Sequence, residues 1–194
     1  LFSFNNVGIK DFYIQEDEKN PILNVSFDGR YIINGDIISP NPLISISLKD
    51  ENPFLQLVDT SSIRVFIKFP NELDALPVSY DQGNITFYPA LSGTNNTARI
   101  EYRAEFLEDG TYEMIVQAQD ASGNQSGRYD YKVSFEVIRE NRISNVLNYP
   151  NPFSTATQFV YTLTGTEAPD DFVIQIMTVS GRVVRELSQL ELGP

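Results

Sequence analysis

Two short acidic stretches carry the side chains best suited to chemistry. The stretch "KDEN" contains Asp50 and Glu51. The stretch "DASGN" contains Asp120 and Asn124. Carboxylate and amide oxygens are hard ligands of the kind that Ca²⁺ prefers, so the four residues are candidate calcium ligands if their loops share one end of a β-sandwich. Asp-x-x-Gly-Asn is also a good turn sequence and does not match an EF-hand loop, so both interpretations stay open.

The composition excludes several kinds of catalytic site. The chain contains no His and no Cys, which removes serine–histidine triads, cysteine–histidine dyads and zinc–thiolate sites. Carboxylate pairs for glycoside hydrolysis remain available among 26 acidic residues, but no pair is distinguished by an apolar setting. We therefore predict that the chain is not an enzyme, that it takes no organic cofactor, and that any catalytic domain lies outside it.

The charge balance restricts the partners. There are 14 Lys and Arg against 26 Asp and Glu, for a net charge of -12. Nucleic acid and anionic lipid would be repelled, whereas divalent cations suit an acidic surface. The same charge could serve only to keep an exported protein soluble. The sequence has no apolar run of 18 residues, so no transmembrane helix is predicted.

The chain between residues 39 and 140 alternates between apolar and polar residues, as half-buried strands do. Examples are "LISISLKD", "SIRVFIKFP", "ARIEYRAEF", "TYEMIVQA" and "YKVSFEV". This spacing predicts an all-β fold, an immunoglobulin-like antiparallel β-sandwich. Residues 1–38 are predicted to be a lead-in segment with one or two short strands, marked by turn signals at Asp28-Gly29 and Asn34-Gly35.

One tyrosine has a predicted structural role. "EDGTY" places Tyr112 two residues after a glycine, at the start of the penultimate sandwich strand. This is typical of a tyrosine corner, in which the hydroxyl group bonds to backbone a few residues upstream. Tyr112 is therefore predicted to support the fold rather than to bind a ligand.

Residues 141–194 form a second region that opens on "NYPNPF". Pro150 and Pro152 fix two φ angles, and the rings of Tyr149 and Phe153 are expected to pin the segment to a core. The strand "VIQIMTVS" then reverses at Gly181 into "RVVREL". These two pieces resemble, in order and spacing, the first part of the C-terminal sorting domain of the bacterial type IX secretion system.

The resemblance implies a sorting motif, secretion partners and a location. The motif residues would be Tyr149, Pro150, Asn151, Pro152, Phe153, Ser180, Gly181 and Arg182. The partners would be the secretion translocon, outer-membrane shuttle proteins and neighbouring domains of the same polypeptide. The protein would be exported to the cell surface or medium of a Gram-negative bacterium. Such domains usually continue through Trp-x-Gly-x-Asp to a final Gly-x-Tyr strand, so we expect a truncated second sandwich with uncovered apolar faces.

The preceding part resembles the immunoglobulin-like module found before that sorting domain in large surface proteins, several of which carry a gingipain-like peptidase domain. The peptidase's Cys and His have no counterpart here. The resemblance implies a non-catalytic spacer and sorting signal. The alternative is an adhesin-type module that binds carbohydrate or a cell-surface partner, for which Phe66, Tyr80 and Tyr88 are candidate stacking residues.

Overall fold

Strands make up nearly all of the regular structure, which confirms the predicted all-β class. The computed structural model describes residues 10–11, 17–91, 95–166 and 171–188. The strands in chain order are β1 Ile22–Phe27, β2 Asp36–Ile38, β3 Leu43–Asp50, β4 Ile63–Lys68, β5 Leu76–Pro77, β6 Ile85–Tyr88, β7 Asn96–Arg103, β8 Gly110–Ala118, β9 Tyr131–Val137, β10 Arg142–Tyr149, β11 Gln158–Thr164, β12 Val173–Met177 and β13 Val183–Ser188, with short 3₁₀ turns at Thr60–Ser62 and Tyr80–Gln82.

Two sheets form the sandwich. The first has the order β1-β3-β7-β6 and is antiparallel throughout. The second has the order β2-β9-β8-β4-β5, in which only the β2–β9 pair is parallel. A sheet of order β1-β3-β7-β6 that faces a sheet containing β9-β8-β4 is the strand arrangement of an immunoglobulin-like domain.

The inward-facing residues of the two sheets form one continuous core. Period-2 alternation puts Ile, Leu, Val and Met on the inner side of each strand, where they lose contact with water. Four aromatic rings fill the centre. Phe106 lies 4.6 Å from Tyr112, and Phe135 stacks on Tyr112 at 5.8 Å and contacts Phe27 at 5.3 Å, centroid to centroid.

Tyr112 lies at the start of β8 with its ring 1% exposed. Its hydroxyl group donates to the Glu108 carbonyl at 2.9 Å and accepts from the Glu108 amide at 3.3 Å. This is the geometry of a tyrosine corner. The two hydrogen bonds attach the connection between β7 and β8 to the start of β8. They also give a partner to the hydroxyl group of a tyrosine whose ring is buried in the core.

The lead-in segment needs a correction. A boundary was predicted after residue 38, but β1 and β2 are edge strands of the two sheets. The turn at Asp28-Gly29 redirects the chain after β1, with positive φ at both residues. The Gly35 amide then donates to the Ser134 carbonyl at 2.9 Å, next to the β2–β9 pairing. The sandwich therefore begins at β1, because β1 forms the edge of the first sheet and β2 forms the edge of the second.

The second region consists of two hairpins. β10 pairs with β11, and β12 pairs with β13, each as a two-stranded antiparallel sheet. Tyr161 and Phe172 touch edge to face at 5.4 Å between centroids. Hairpins of this size bury little surface, and many of their large apolar side chains stay exposed: Ile143, Val146, Leu147, Val160, Leu163, Val173, Met177, Val179, Val183 and Val184.

We predict that Tyr112→Phe destabilises the sandwich. The ring is kept but the hydroxyl bonds are lost, so the free energy of unfolding should fall by about 1 kcal/mol. Tyr102→Phe is the matched control, since Tyr102 is also buried in the core but its hydroxyl group makes no hydrogen bond within the described residues. Chemical denaturation measures both variants. Equal midpoints for Tyr112→Phe and the wild type would contradict the structural role.

We predict a loss of stability at high pH that depends on Tyr80. Burial raises the pKa of Tyr80 from 10.0 to about 12, and its hydroxyl group donates to the Ile63 carbonyl at 3.1 Å. The folded state holds this proton more tightly than the unfolded state, so the stabilisation is complete below pH 10 and is lost as pH rises towards 12. The free energy of unfolding should fall less steeply over this interval in Tyr80→Phe. Superimposable pH profiles would contradict the prediction.

Candidate metal centre and motif-bearing hairpins

Two buried aspartates end the inward-facing stripes of two strands in opposite sheets. Asp50 is the last residue of β3 and continues the buried positions that begin at Ile44. Asp120 lies two residues beyond β8 and continues the buried positions that begin at Tyr112. Both aspartates are 3% exposed. The alternation that builds the core thus carries one carboxyl group from each sheet to the same end of the sandwich.

A third aspartate completes the cluster. Asp17 lies in the segment before β1 and is half-buried. One carboxylate oxygen from each of Asp17, Asp50 and Asp120 lies within 4.8 Å of the other two. The cluster therefore joins three parts of the chain that are distant in sequence.

Hydrogen bonds fix the Asp120 side of the cluster. Oδ1 of Asp120 accepts from the backbone amides of Ser122 and Asn124, both at 2.8 Å. The Asn124 side-chain nitrogen donates to Asp120 Oδ2 at 2.9 Å and to the Asp17 carbonyl at 2.8 Å. The predicted turn is therefore present, and it orients the carboxylate while attaching the Asp17 segment.

Asn96, at the start of β7, organises the opposite side. It is 2% exposed, and its Oδ1 accepts from the Leu57 amide at 2.8 Å. Its Nδ2 lies 3.2 Å from Asp50 Oδ2, 2.9 Å from the Asn52 carbonyl and 2.8 Å from the Leu55 carbonyl. The buried side-chain amide of Asn96 therefore connects the loop after β3 to the carboxylate of Asp50, the residue that precedes this loop.

Asp50 is the electrostatically costly member of the cluster. Its Oδ1 is buried without a hydrogen-bond partner in the described part of the chain. Burial raises the pKa of Asp50, and repulsion from Asp120 and Asp17 adds to the rise. The backbone amides of Asn52 and Glu51 act in the opposite direction and lower the pKa of Asp50. The pKa of Asp17 is lowered instead, chiefly by the hydrogen bond from the Asn52 side chain.

The four predicted ligands divide into two pairs. Asp50 and Asp120 are brought together as the sequence predicted. Glu51 was placed wrongly, because it points away from the core and pairs with Lys19 at 2.8 Å in solvent. The role of Asn124 also differs from the prediction, because the structure shows its Nδ2 donating to Asp120 and to the Asp17 carbonyl, which orients two aspartates.

Sequence reasoning missed Asp17, Asn52 and Asn96. Asp17 lies in "QEDEKNP", which looks like a charged connector, and nothing local shows that it folds back on the sandwich. Asn96 lies in "GTNNTARI", where its burial follows only from the β3–β7 register that pairs it with Asp50. The signal that was available is the period-2 extension to Asp50 and Asp120, since acidic residues at inward positions need a partner.

The sorting motif lies outside any core in the described residues. Tyr149 ends β10 and is 69% exposed, and Phe153 is 54% exposed. The prediction that both rings pin the segment to a core is therefore wrong, because a two-stranded sheet has no second layer to receive them. Pro150 and Pro152 follow cis peptide bonds, and Asn151 between them is exposed. The Thr157 hydroxyl group donates to the Pro150 carbonyl at 2.9 Å.

The second part of the motif forms the turn between β12 and β13. Gly181 adopts φ +82°, which favours glycine, and its amide donates to the Thr178 carbonyl at 2.9 Å. Ser180, Gly181 and Arg182 are all exposed. The predicted reversal occurs at Gly181, and the turn presents its side chains to solvent.

The sequence matches no protein-family model and no curated protein. The geometry is therefore the basis for the functional assignment. Among the residues that the structure describes, there is no helix with the length and apolarity needed to cross a membrane.

We predict that two glycines of the second region respond differently to alanine. Gly165 adopts φ +103°, donates to the Ile138 carbonyl at 3.0 Å, and leaves no room for a Cβ atom beside Asn141. Gly165→Ala should reduce amide-exchange protection throughout β10 and β11. Gly181→Ala is the control, because its Cβ meets open space and only the backbone strain of about 1–2 kcal/mol applies. Equal protection of β10 and β11 in both variants would contradict this difference.

Proposed function

We propose that the chain is a non-catalytic, exported region of a large surface protein of a Gram-negative bacterium. In this proposal an immunoglobulin-like spacer precedes part of a type IX sorting signal. The observation that carries it is the display of the motif: Tyr149 and Phe153 keep more than half of their surface in contact with solvent. Aromatic residues that contribute little to packing are available for recognition by another protein.

The surroundings of the motif support the same proposal. The neighbouring hairpins expose apolar side chains from both sheets, among them Val160 on β11 and Val173 on β12. Large apolar side chains left in contact with solvent in this number favour an interaction surface in a soluble protein. The partners proposed are the secretion translocon, outer-membrane shuttle proteins and neighbouring domains of the same polypeptide.

The sandwich suits the role of a spacer. Its interior is filled by apolar side chains, and the chain offers no His or Cys for nucleophilic or general-base chemistry. If the parent protein is a gingipain-like peptidase, its catalytic groups therefore belong to another domain. The sandwich would hold that domain at a fixed separation from the sorting signal.

Carbohydrate binding has weaker support. Of the three candidate stacking residues, Phe66 is half-buried, and Tyr80 packs on the core and bonds to backbone. Tyr88 is exposed, but the Arg99 guanidinium group lies over its ring at 5.4 Å and its hydroxyl group donates to Glu101. These three residues do not present a shared aromatic platform.

Secretion of the parent protein tests the proposal. In a bacterium with a type IX system, the double variant Tyr149→Ala/Phe153→Ala should accumulate in the periplasm and be depleted from the cell surface and medium. The matched control is Tyr129→Ala, an exposed tyrosine between β8 and β9, which should be secreted normally.

Purified variants separate recognition from folding. Because both motif rings are largely exposed, the double variant should unfold at the wild-type temperature. Normal secretion of the double variant, or wild-type secretion in a strain that lacks the translocon, would overturn the proposal.

A further inference from the structure

We propose that Asp17, Asp50 and Asp120 bind one Ca²⁺ ion, which fastens the segment before β1 to the loop end of the sandwich. We name this group the calcium clasp. It goes beyond the proposed spacer and sorting function and does not depend on it.

The first argument is the unpaired oxygen of Asp50. The residue is 97% buried, since only 3% of its surface is exposed, and its Oδ1 has no protein partner in the described chain. Its carboxylate belongs to the three-aspartate cluster. Burying a carboxylate is costly unless it is paired, hydrogen-bonded or coordinated to a metal. A cation within the cluster supplies the missing partner.

The second argument is the charge of the cluster. No Lys or Arg side chain in the described residues forms an ion pair with any of the three aspartates. Lys49, next to Asp50, is exposed on the other face of β3. Lys19, two residues after Asp17, attracts that carboxylate from a distance but is ion-paired with Glu51 and mostly exposed. The three carboxylates therefore face one another without an ion-paired Lys or Arg in the described residues, and a divalent cation neutralises most of their charge.

The third argument is the size and chemistry of the site. Two oxygens on opposite sides of a Ca²⁺ ion lie about 4.6–5.2 Å apart. The ligand oxygens all lie within 4.8 Å of one another, so one Ca²⁺ ion can contact all three. Carboxylates are hard ligands, and water can complete a shell of about six to eight oxygens.

The surrounding hydrogen bonds prepare the ligands. Asp120 is held by two backbone amides and by Asn124, and Asp50 Oδ2 is held by Asn96. Residues that orient ligands in this way are as much a part of a metal site as the ligands themselves. The donors are therefore positioned by the β3–β7 register and the turn after β8, before an ion arrives.

Asp17 is the ligand that connects the segment before β1 to the sandwich. The Asp17 carboxylate accepts from the Asn52 side chain at 2.8 Å, and its carbonyl accepts from Asn124 at 2.8 Å. Lys19 pairs with Glu51 nearby. These links are two hydrogen bonds, one of them to a carboxylate, and one exposed ion pair, each of which contributes little individually. In the proposal the ion is therefore the strongest link between this segment and the sandwich.

Calorimetric titration with CaCl₂ and with MgCl₂ tests the binding. Protein from which metal has been removed with EGTA should bind one Ca²⁺ ion and should bind Mg²⁺ at least about tenfold more weakly. It should unfold at a higher temperature with Ca²⁺ than with EGTA. Asp50→Asn and Asp120→Asn should each weaken Ca²⁺ binding by about 10- to 100-fold or more. Glu72→Gln is the matched control and should leave the affinity unchanged, because this exposed acidic residue follows the end of β4 that is remote from Asp120.

Asp50→Asn also separates loss of binding from loss of folding. It removes the unpaired buried charge, so in EGTA it should be at least as stable as the wild type, while Ca²⁺ no longer raises its unfolding temperature. An absence of Ca²⁺ binding in the wild type would overturn the proposal. Binding that survives in both Asp50→Asn and Asp120→Asn would overturn it as well.

Amide exchange tests the clasp itself. Ca²⁺ should increase the protection of residues 17–20 and leave the centres of β3 and β8 unchanged. Asp17→Asn should lower the affinity and remove the added protection in a protein that remains folded. Calcium binding with no change in residues 17–20 would reject the role of Asp17 as a ligand.

Discussion

The fold depends on the burial of two facing stripes, one on the inner side of β3 and one on the inner side of β8. Each stripe places an apolar residue at every second position, so a shift of register by one residue would turn it towards water. Tyr112 and its aromatic neighbours fill the centre of the resulting layer. Each stripe ends on an aspartate, so the constraint that excludes water from the core also concentrates negative charge at its end. The acidic cluster is in this sense a product of strand register.

The sequence was sufficient for the parts of the structure that follow from local pattern. Alternation predicted the inner faces of β3, β4, β7, β8 and β9, and the position of Tyr112 predicted its hydroxyl bond. Contacts between distant segments could not be read in this way. Asp17 meets Asn124 across 107 positions, and the burial of Asn96 depends on pairing with a strand more than forty residues earlier. The packing expected of Tyr149 and Phe153 and the ligand role expected of Glu51 are wrong, because residue type does not show whether a second layer covers a ring or which charge a carboxylate faces.

The two regions differ in how far they shield their apolar side chains from water. In the sandwich, each sheet covers the other, and the exposed large side chains lie mostly in loops and on edge strands. In β10–β13 each sheet has only two strands. The residues on one side of β11 and β12 are largely half-buried and those on the other side are exposed, and β13 is exposed from Val183 to Glu186. The first region is stabilised by its own core, and the second is stabilised by hairpin hydrogen bonds and by its attachment through Gly165. The source of stability therefore changes near residue 141, from a buried apolar core to hairpin hydrogen bonds.

The parallel pairing of β2 with β9 gives the sandwich a mechanical property. β2 lies near the start of the domain and β9 at its end, and the two strands run in the same direction through three register pairs, from Asp36–Phe135 to Ile38–Val137. Tension applied to the chain at the start of β2 and at the end of β9 therefore acts along these strands and loads their hydrogen bonds together in shear. An antiparallel pair of terminal strands pulled from one end would instead open bond by bond. The arrangement makes rupture of the β2–β9 pair a concerted step rather than a sequential opening from one end.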